Sequence, residues 1–310
     1  KKPVFCAGRP PEIPGQVLMS SSIHLAVLLN EVLEYLKPQP GQVLGDGTLG
    51  GGGHARVLAE QVAPDGFVLA LDRDPQALAA AERTLSGQPI KIAQANFCDL
   101  PELVRDLGLS AVDGVLLDLG LSSDQLADEI RGFSFDASGP LDLRFDPTQG
   151  EPAWRLLERL REESLADLIY QYGEERFSRR IARRIVEARR THPIRTADQL
   201  ARLVRSCVRR SHGHGIDPAT RTFQAIRIAV NDELGSLQRA LKRIPDCLRP
   251  GGRFIVISFH SLEDRLVKEA FRNDPRLQSL CTRPVRPSER EAAENPRSRS
   301  ARLRAAARLI

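Results

Sequence analysis

Short apolar runs alternate with amphipathic segments through residues 43–117, and this alternation constrains the fold more than any other feature of the sequence. The predicted strands span 43–44, 67–71, 90–93 and 112–117. The predicted helices span 23–36, 54–62, 75–85 and 100–107. Apolar strands separated by helices of this length indicate βαβ units and a buried parallel sheet. The pattern therefore predicts an α/β fold with a doubly wound, mostly parallel sheet.

The pattern changes after residue 127. Residues 128–150 are rich in Gly, Pro and Asp, as is typical of a loop, and residues 154–208 show only helical periodicity. A strand pattern returns at 253–258, and residues 301–310 are the candidate for the last strand. The predicted organisation is a loosely ordered leader at 1–22, a discontinuous sheet domain at 23–127 and 218–310, and an inserted all-α domain at 128–217.

Composition narrows the class of protein. No apolar run approaches the roughly 20 residues that cross a bilayer, so no contact with a membrane is expected. The five cysteines are scattered and never form a C-x-x-C pair, which argues against a disulfide framework or a zinc ribbon and favours a reducing cytoplasm. The net charge of +5 suits a polyanionic partner but is too small to require one.

A glycine-rich motif follows the first strand at residues 46–54 (DGTLGGGGH). Glycines let the backbone approach a ligand closely, and the next helix offers free N–H groups at its N-terminus. Gly50, Gly52 and Ala55 fit the dinucleotide fingerprint, with Asp72 about 20 residues on to hold a ribose. An acid ahead of the glycines, here Asp46, instead resembles motif I of Class I methyltransferases. Both interpretations predict a cofactor that contains adenosine, and the motif alone does not separate them.

Two further motifs follow predicted strands. Asp118 ends the run 113–118 (DGVLLD), and His260 lies in 258–265 (SFHSLEDR) after the late strand. Ligands bind at the carboxyl edge of open α/β sheets, so Asp118 is expected beside the cofactor, and His260 is a candidate for the same site. Ser261 with Asp264 resembles a helix-capping box, which predicts a partly structural role for this second motif.

Arginines are densest in the predicted insert, where they alternate with an apolar stripe. The stripe should pack inward and leave a net positive face that suits an RNA backbone, although a solvated charged surface has the same pattern. A second row lies on the helix that Asp217 and Pro218 are predicted to begin. The candidate RNA-binding residues are Arg179, Arg180, Arg183, Arg184, Arg221 and Arg227.

Taken in order, these segments resemble the RsmH (MraW) family from about His24 to Arg304. The stretches that carry the resemblance are 46–54, 72–75 (DRDP), 96–97 (NF), 113–126, 131–135 (RGFSF), 139–144 (GPLDLR), 172–176 (YGEER), 218–225 (PATRTFQA), 258–265 and 295–300 (NPRSRS). Each motif is weak alone, and their order is what makes the resemblance specific. Asp217 departs from the family's usual His before PATR, which leaves in doubt any RNA role of that position.

The resemblance implies a Class I, Rossmann-like methyltransferase that depends on S-adenosylmethionine (SAM) and methylates the exocyclic N4 of a cytidine. The implied partner is 16S rRNA within the small ribosomal subunit, with no metal required and a homodimer left open. The implied cofactor contacts are Gly52, Gly53, His54, Asp72, Phe97, Asp118 and Gln125. Because the amine must lose a proton during or after attack, Asp118 and His260 are the candidate catalytic residues.

Three alternatives remain at this point. The glycine loop also admits an NAD-dependent dehydrogenase, and the fold could serve as a non-catalytic RNA-binding module. A DNA cytosine-N4 methyltransferase is the nearest alternative enzyme, but such enzymes often carry Asp/Asn-Pro-Pro-Tyr where this chain has Asp118-Leu-Gly-Leu.

Overall fold

The computed structural model describes residues 26–135, 138–208 and 217–309. The predicted leader, residues 23–25 of the predicted first helix, and residues 209–216 at the end of the predicted insert lie outside this part of the chain. The described strands are β1 (Val43–Asp46), β2 (Phe67–Asp72), β3 (Ile90–Gln94), β4 (Val112–Asp118), β5 (Leu248–Ser258), β6 (Leu277–Ser279) and β7 (Arg302–Arg308).

Helices occupy most of the rest of the described chain. In the sheet domain they are α1 (Leu29–Leu36), α2 (Gly53–Val62), α3 (Pro75–Thr84), α4 (Leu100–Asp106) and α5 (Ser123–Ala127). The insert follows with α6 (Ala153–Arg159), α7 (Glu162–Gly173), α8 (Ser178–Arg189) and α9 (Ala197–Cys207). The remaining helices are α10 (Thr220–Asn231), α11 (Glu233–Cys247), α12 (Ser261–Asn273) and α13 (Glu289–Glu294).

All seven strands form one sheet in the order β3-β2-β1-β4-β5-β7-β6. The first five strands pair in parallel, whereas β7 is antiparallel to both β5 and β6. The order differs from the parallel 3-2-1-4-5-6 sheet of dinucleotide-binding folds, because an antiparallel strand lies between the fifth and sixth. The predicted α/β fold with a mostly parallel sheet is confirmed.

Apolar side chains alternate between the two faces of the central strands, and this alternation builds a three-layer domain. Leu69 and Val115 lie in the core that α4, α11 and α12 cover. Val68 and Leu116 lie in the opposite core, beneath α1, α2 and α3. Because both faces are buried, the strands carry the continuous apolar runs from which they were predicted.

Two predicted helix starts are wrong. The first helix begins at Leu29 rather than at residue 23, because Leu28 adopts a left-handed conformation with a φ of 54°. The helix after the insert begins at Thr220, not at Pro218. Asp217 accepts hydrogen bonds from the next backbone N–H groups, from Ala219 at 2.8 Å to its carboxylate and from Thr220 at 3.0 Å to its carbonyl, and so forms a turn before the helix.

The insert has its own hydrophobic core, which α6–α9 build together with Leu141 and Leu143 from the preceding loop. Phe223 and Ile226 of α10 also belong to this core. The insert therefore extends past the predicted boundary at residue 217, because the apolar face of α10 packs on α7 rather than on the sheet. Within the described ranges, the helices are too short or too polar to cross a membrane.

Candidate functional site

A deep cleft opens at the carboxyl ends of β1, β2 and β4, where Asp46, Asp72 and Asp118 end their strands. The cleft and its open mouth together hold about 1060 Å³. The position follows from the topology, since neighbouring parallel strands end at the same edge of the sheet.

The glycine-rich turn forms the floor of the cleft. Gly50 and Gly52 have φ values of 48° and 76°, a left-handed conformation that Gly adopts without steric strain. Gly53 lines the cleft, but Gly52 does not. A Cβ at Gly52 would lie 2.8 Å from Leu85 Cδ1, so this glycine lets α2 start against α3. The structure thus gives Gly52 a packing role, and the cofactor contact that the resemblance implied stays a prediction.

The carboxylate of Asp72, at the end of β2, is hydrogen-bonded to the glycine-rich turn. Its Oδ2 accepts a hydrogen bond from Gly50 N at 2.8 Å, and its Oδ1 accepts one from Asp74 N at 2.9 Å. Each carboxylate oxygen has a second lone pair, so Asp72 can still accept hydroxyl hydrogens from a ligand in the cleft. Burial raises the pKa of Asp72, and the backbone N–H groups oppose this shift.

His54 lies at the start of α2, buried behind the turn. Its Nε2 is 2.9 Å from the Val27 carbonyl oxygen and its Nδ1 is 3.7 Å from Asp118 Oδ2. A carbonyl can only accept, so Nε2 carries the hydrogen. Burial lowers the pKa of His54, which keeps the imidazole neutral near pH 7. His54 lines the cleft, as predicted, and also ties Val27 to its wall.

Asp118 combines a cleft position with an unsatisfied carboxylate oxygen. Its backbone N–H donates to Thr48 Oγ1 at 2.6 Å, which fixes the strand end against the glycine turn. Its side chain is 16% exposed, and Oδ1 has no hydrogen-bond partner within the described chain. Burial raises the pKa of the Asp118 carboxyl to about 7; Arg297 opposes the rise and Glu263 adds to it.

The other predicted contacts reach the same cleft. Phe97 follows β3 and presents an apolar ring to the cleft. Gln125 forms a capping box with Ser122 at the start of α5, and its Nε2 donates to Asp74 Oδ2 at 3.0 Å. These bonds hold the Gln125 amide rigid at the cleft wall.

His260 does not line the cleft, and its catalytic role stays a prediction. It is the N-cap of α12, because its Nδ1 accepts from Glu263 N at 3.4 Å. The capping box thus starts one residue before Ser261. Glu263 lines the cleft instead and accepts from Phe259 N at 2.8 Å. Although burial raises the pKa of Glu263, His260, the Phe259 N–H and Arg227 together hold it below its usual value.

The predicted arginine row on α10 does not form one surface. Arg227 is only 14% exposed and donates to both carboxylate oxygens of Glu233, at 2.8 and 3.0 Å. Because Arg227 is largely buried and paired with Glu233, it does not belong to the exposed row that was predicted. Arg221 remains exposed, with one N–H directed to the Glu174 carbonyl at 3.2 Å.

The four predicted arginines of α8 share its exposed face, opposite Ile181 and Ile185. Arg183 lies 3.5 Å from Glu162, and Arg184 lies 3.0 Å from Glu187. Such exposed pairs contribute little stability and exchange readily for other anions. Neither Arg179 nor Arg180 pairs with a described acid, so the face keeps a net positive charge.

Sequence reasoning missed several residues of the cleft wall. Thr48 stands inside the glycine motif, between Gly47 and Gly50, and could have been found there. No local sequence pattern marks the other missed residues as part of the cleft. They are Phe145 from the insert loop and Ser236 and Leu237 from α11. Arg297 was visible only as one residue of the NPRSRS motif, whose placement against the segment after β4 depends on a contact with a residue 176 positions away along the chain.

Comparisons with known proteins agree with this architecture. A model of the MraW methylase family matches residues 21–309. Ribosomal RNA small subunit methyltransferase H of Thermomicrobium roseum is 50% identical over 309 residues, covering 93% of this chain and 94% of that protein. The protein of the same name in Rhodopirellula baltica is 49% identical, with coverage of 92% and 91%. The one in Syntrophotalea carbinolica is 48% identical, with coverage of 92% and 98%.

Proposed function

The chain belongs to the MraW methylase family, and on that premise we propose that it methylates the exocyclic N4 of a cytidine in small-subunit (16S) rRNA. It is an rRNA methyltransferase that depends on SAM. The observation that carries the proposal is the cleft at the carboxyl edge of the sheet, with the unpartnered Asp118 Oδ1 beside the glycine turn.

The residues of the cleft fit SAM. Asp72 retains acceptor capacity for ribose hydroxyls, and Phe97 offers an apolar surface for a purine ring. Gly53 and His54 lie where the backbone can approach the ligand closely. When bound, SAM supplies a methyl group activated by a sulfonium, so the protein itself needs only to bind, orient and accept a proton.

We assign Asp118 as the group that binds the acceptor amine and takes up its proton. The N4 lone pair of cytosine is delocalised into the ring, so most of the acceleration must come from holding the amine in line with the methyl group. A carboxylate oxygen without a partner can accept a hydrogen bond from that amine and then its proton. The base must be unstacked to reach the cleft, since its amine is otherwise paired or covered.

The contacts of the insert support a role in guiding RNA toward this edge. Glu174, at the end of α7, accepts from Ser261 Oγ at 2.5 Å and from Arg265 Nη2 at 3.0 Å. Both partners belong to the first turns of α12, and each lies two residues from Glu263 in the cleft wall. The apolar face of α8 packs in the same core as α7, and the positive face lies opposite to it.

Nucleoside mass spectrometry of rRNA tests the proposal. Small-subunit rRNA from cells that lack the gene should contain no N4-methylated cytidine at the target site, and the gene in trans should restore it. We expect a copy with Asp118→Asn not to restore it. A methyl group on ring C5, on the ribose or on DNA would contradict the proposed acceptor. Retention of N4-methylcytidine in the deleted strain would contradict the activity itself.

The second prediction concerns RNA affinity. Replacing Arg179, Arg180, Arg183 and Arg184 with Gln should weaken RNA binding and leave SAM binding intact, because these side chains point away from the core. The slope of log Kd against log salt should flatten by about 0.7–0.9 for each phosphate contact that is lost. Fluorescence titration at several salt concentrations measures both quantities.

A matched control removes four exposed arginines from the sheet domain. Its positions are Arg56, Arg83, Arg105 and Arg290. This variant has the same net charge as the α8 variant, so it separates a local RNA surface from overall charge. Equal losses of affinity and slope in the two variants would contradict an RNA role of α8.

A further inference from the structure

Arg297 is a cation in the cleft wall that the activity described so far does not use. It lies on the short 3₁₀ helix Pro296–Ser300, is partly buried and lines the cleft. Its Nη1 donates to Ser123 Oγ at 3.2 Å, and its Nη2 donates to the Leu121 carbonyl. Arg297 thus ties the segment after β4 to the C-terminal part of the chain.

The Arg297 guanidinium has hydrogen bonds but no close counter-charge. Within the described ranges, no carboxylate lies within 4 Å of it. Burial lowers its pKa, whereas the charges of Asp118 and Asp124 favour its protonated form. A cation that is partly removed from water without an ion pair is unfavourable for folding alone, which points to a role in the cleft.

Four ionisable groups from different elements face Asp118. Asp46 ends β1, His54 is the second residue of α2, Glu263 lies in α12, and Arg297 precedes β7. Asp46 and Glu263 are acids, and burial lowers the pKa of His54, which favours its neutral form. Arg297 is therefore the one permanent positive charge in this set that can favour the carboxylate form of Asp118.

We propose that Arg297 is a positioning residue for methyl transfer, which holds the Leu121–Ser123 segment beside the acceptor base and keeps Asp118 ionised. This inference rests on the proposed function. In the step it serves, the N4 lone pair bonds to the methyl carbon, and the electrons of the carbon–sulfur bond stay on sulfur. The surplus proton of the amine passes to Asp118.

The pH dependence of kcat/KM tests this role, with small subunits from cells lacking the enzyme as substrate. Because burial already raises the pKa of Asp118 to about 7, loss of Arg297 should raise it further. For Arg297→Met we expect the midpoint of the profile to rise by about one unit, with a loss of about fivefold at pH 7 that nearly disappears by pH 9. Arg297→Lys should keep the parent midpoint, because it keeps the charge.

Arg299→Met is the matched control, since Arg299 is an exposed arginine of the same 3₁₀ helix. It should keep the midpoint of the parent protein. A uniform loss at every pH in Arg297→Met, or a lower melting temperature with an unshifted midpoint, would overturn the proposal and leave Arg297 a structural tie. Parent protein that forms no N4-methylcytidine would instead refute the proposed function, so the two failures are distinct.

Discussion

Asp118→Asn is expected to lower kcat for methyl transfer by about 10²- to 10⁴-fold, the usual contribution of a positioned acid–base group. The amide keeps the shape of the side chain but cannot take up the proton of the amine. Calorimetry should show that SAM still binds, because Asp72, Phe97 and the glycine turn are unchanged. Activity at saturating SAM then reports the chemical step rather than cofactor affinity.

If Asp118 accepts the proton, activity should fall as the pH falls. Burial raises the pKa of Asp118 to about 7, so a lower pH protonates the carboxylate and removes the acceptor. We expect kcat/KM of the parent to rise about tenfold per pH unit below that value and to level off above it. Glu129→Gln, which removes an exposed carboxylate after α5, should leave rate and profile unchanged. An Asp118→Asn enzyme that retains a tenth of parental kcat would contradict the role of Asp118.

Arg131→Met is expected to lower the free energy of unfolding by about 3–5 kcal/mol, because it leaves the Asp74 carboxylate buried without its cation. Arg131 and Asp74 are 5% and 2% exposed, and Arg131 Nη1 lies 3.1 Å from Asp74 Oδ2. Arg131 also donates to the carbonyls of Arg144 and Phe145, at 2.7 and 2.8 Å. It therefore holds the insert loop against the end of β2. Denaturant unfolding measures the loss.

Two further variants test whether the loss of stability in Arg131→Met comes from the buried ion pair. Arg159→Met breaks the exposed pair with Glu151, for which a loss of only about 0–1 kcal/mol is expected. Adding Asp74→Asn to Arg131→Met should recover part of the stability, since the second change removes the uncompensated charge. If Arg131→Met unfolded like Arg159→Met, the buried pair would not hold the insert loop in place.

Strands and their ends were accessible from the sequence because their signals are local. The apolar run before Asp118 predicts a buried strand, and a parallel sheet then brings its end to the same edge as Asp72. Periodicity likewise identified the apolar stripe of α8. These features depend on residues that are close in the chain, so a single sequence displays them.

Side-chain partners were not accessible in the same way. The position of Arg227 in the sequence fits a row of exposed side chains on one helix face. Its side chain instead pairs with Glu233 across the turn between α10 and α11. His260 follows a strand as a catalytic residue would, but its ring caps α12. A polar side chain can face solvent, form an ion pair or cap a helix. Which of these it does depends on which charged and hydrogen-bonding groups still lack a partner once the elements have packed together.

The sequence by itself thus determined the α/β class and the family, and it predicted the helical insert and the edge of the sheet where we propose that the cofactor binds. Only the tertiary structure decided that α10 joins the insert core, that Gly52 packs on Leu85, and that Arg297 enters the cleft. The physical reason is the distance along the chain over which each signal acts. Periodicity and strand ends depend on the burial of residues that are close together in the sequence. The environment of a charged side chain is set by groups far away in the chain, as with Arg297 and Leu121, which meet only when the sheet is assembled.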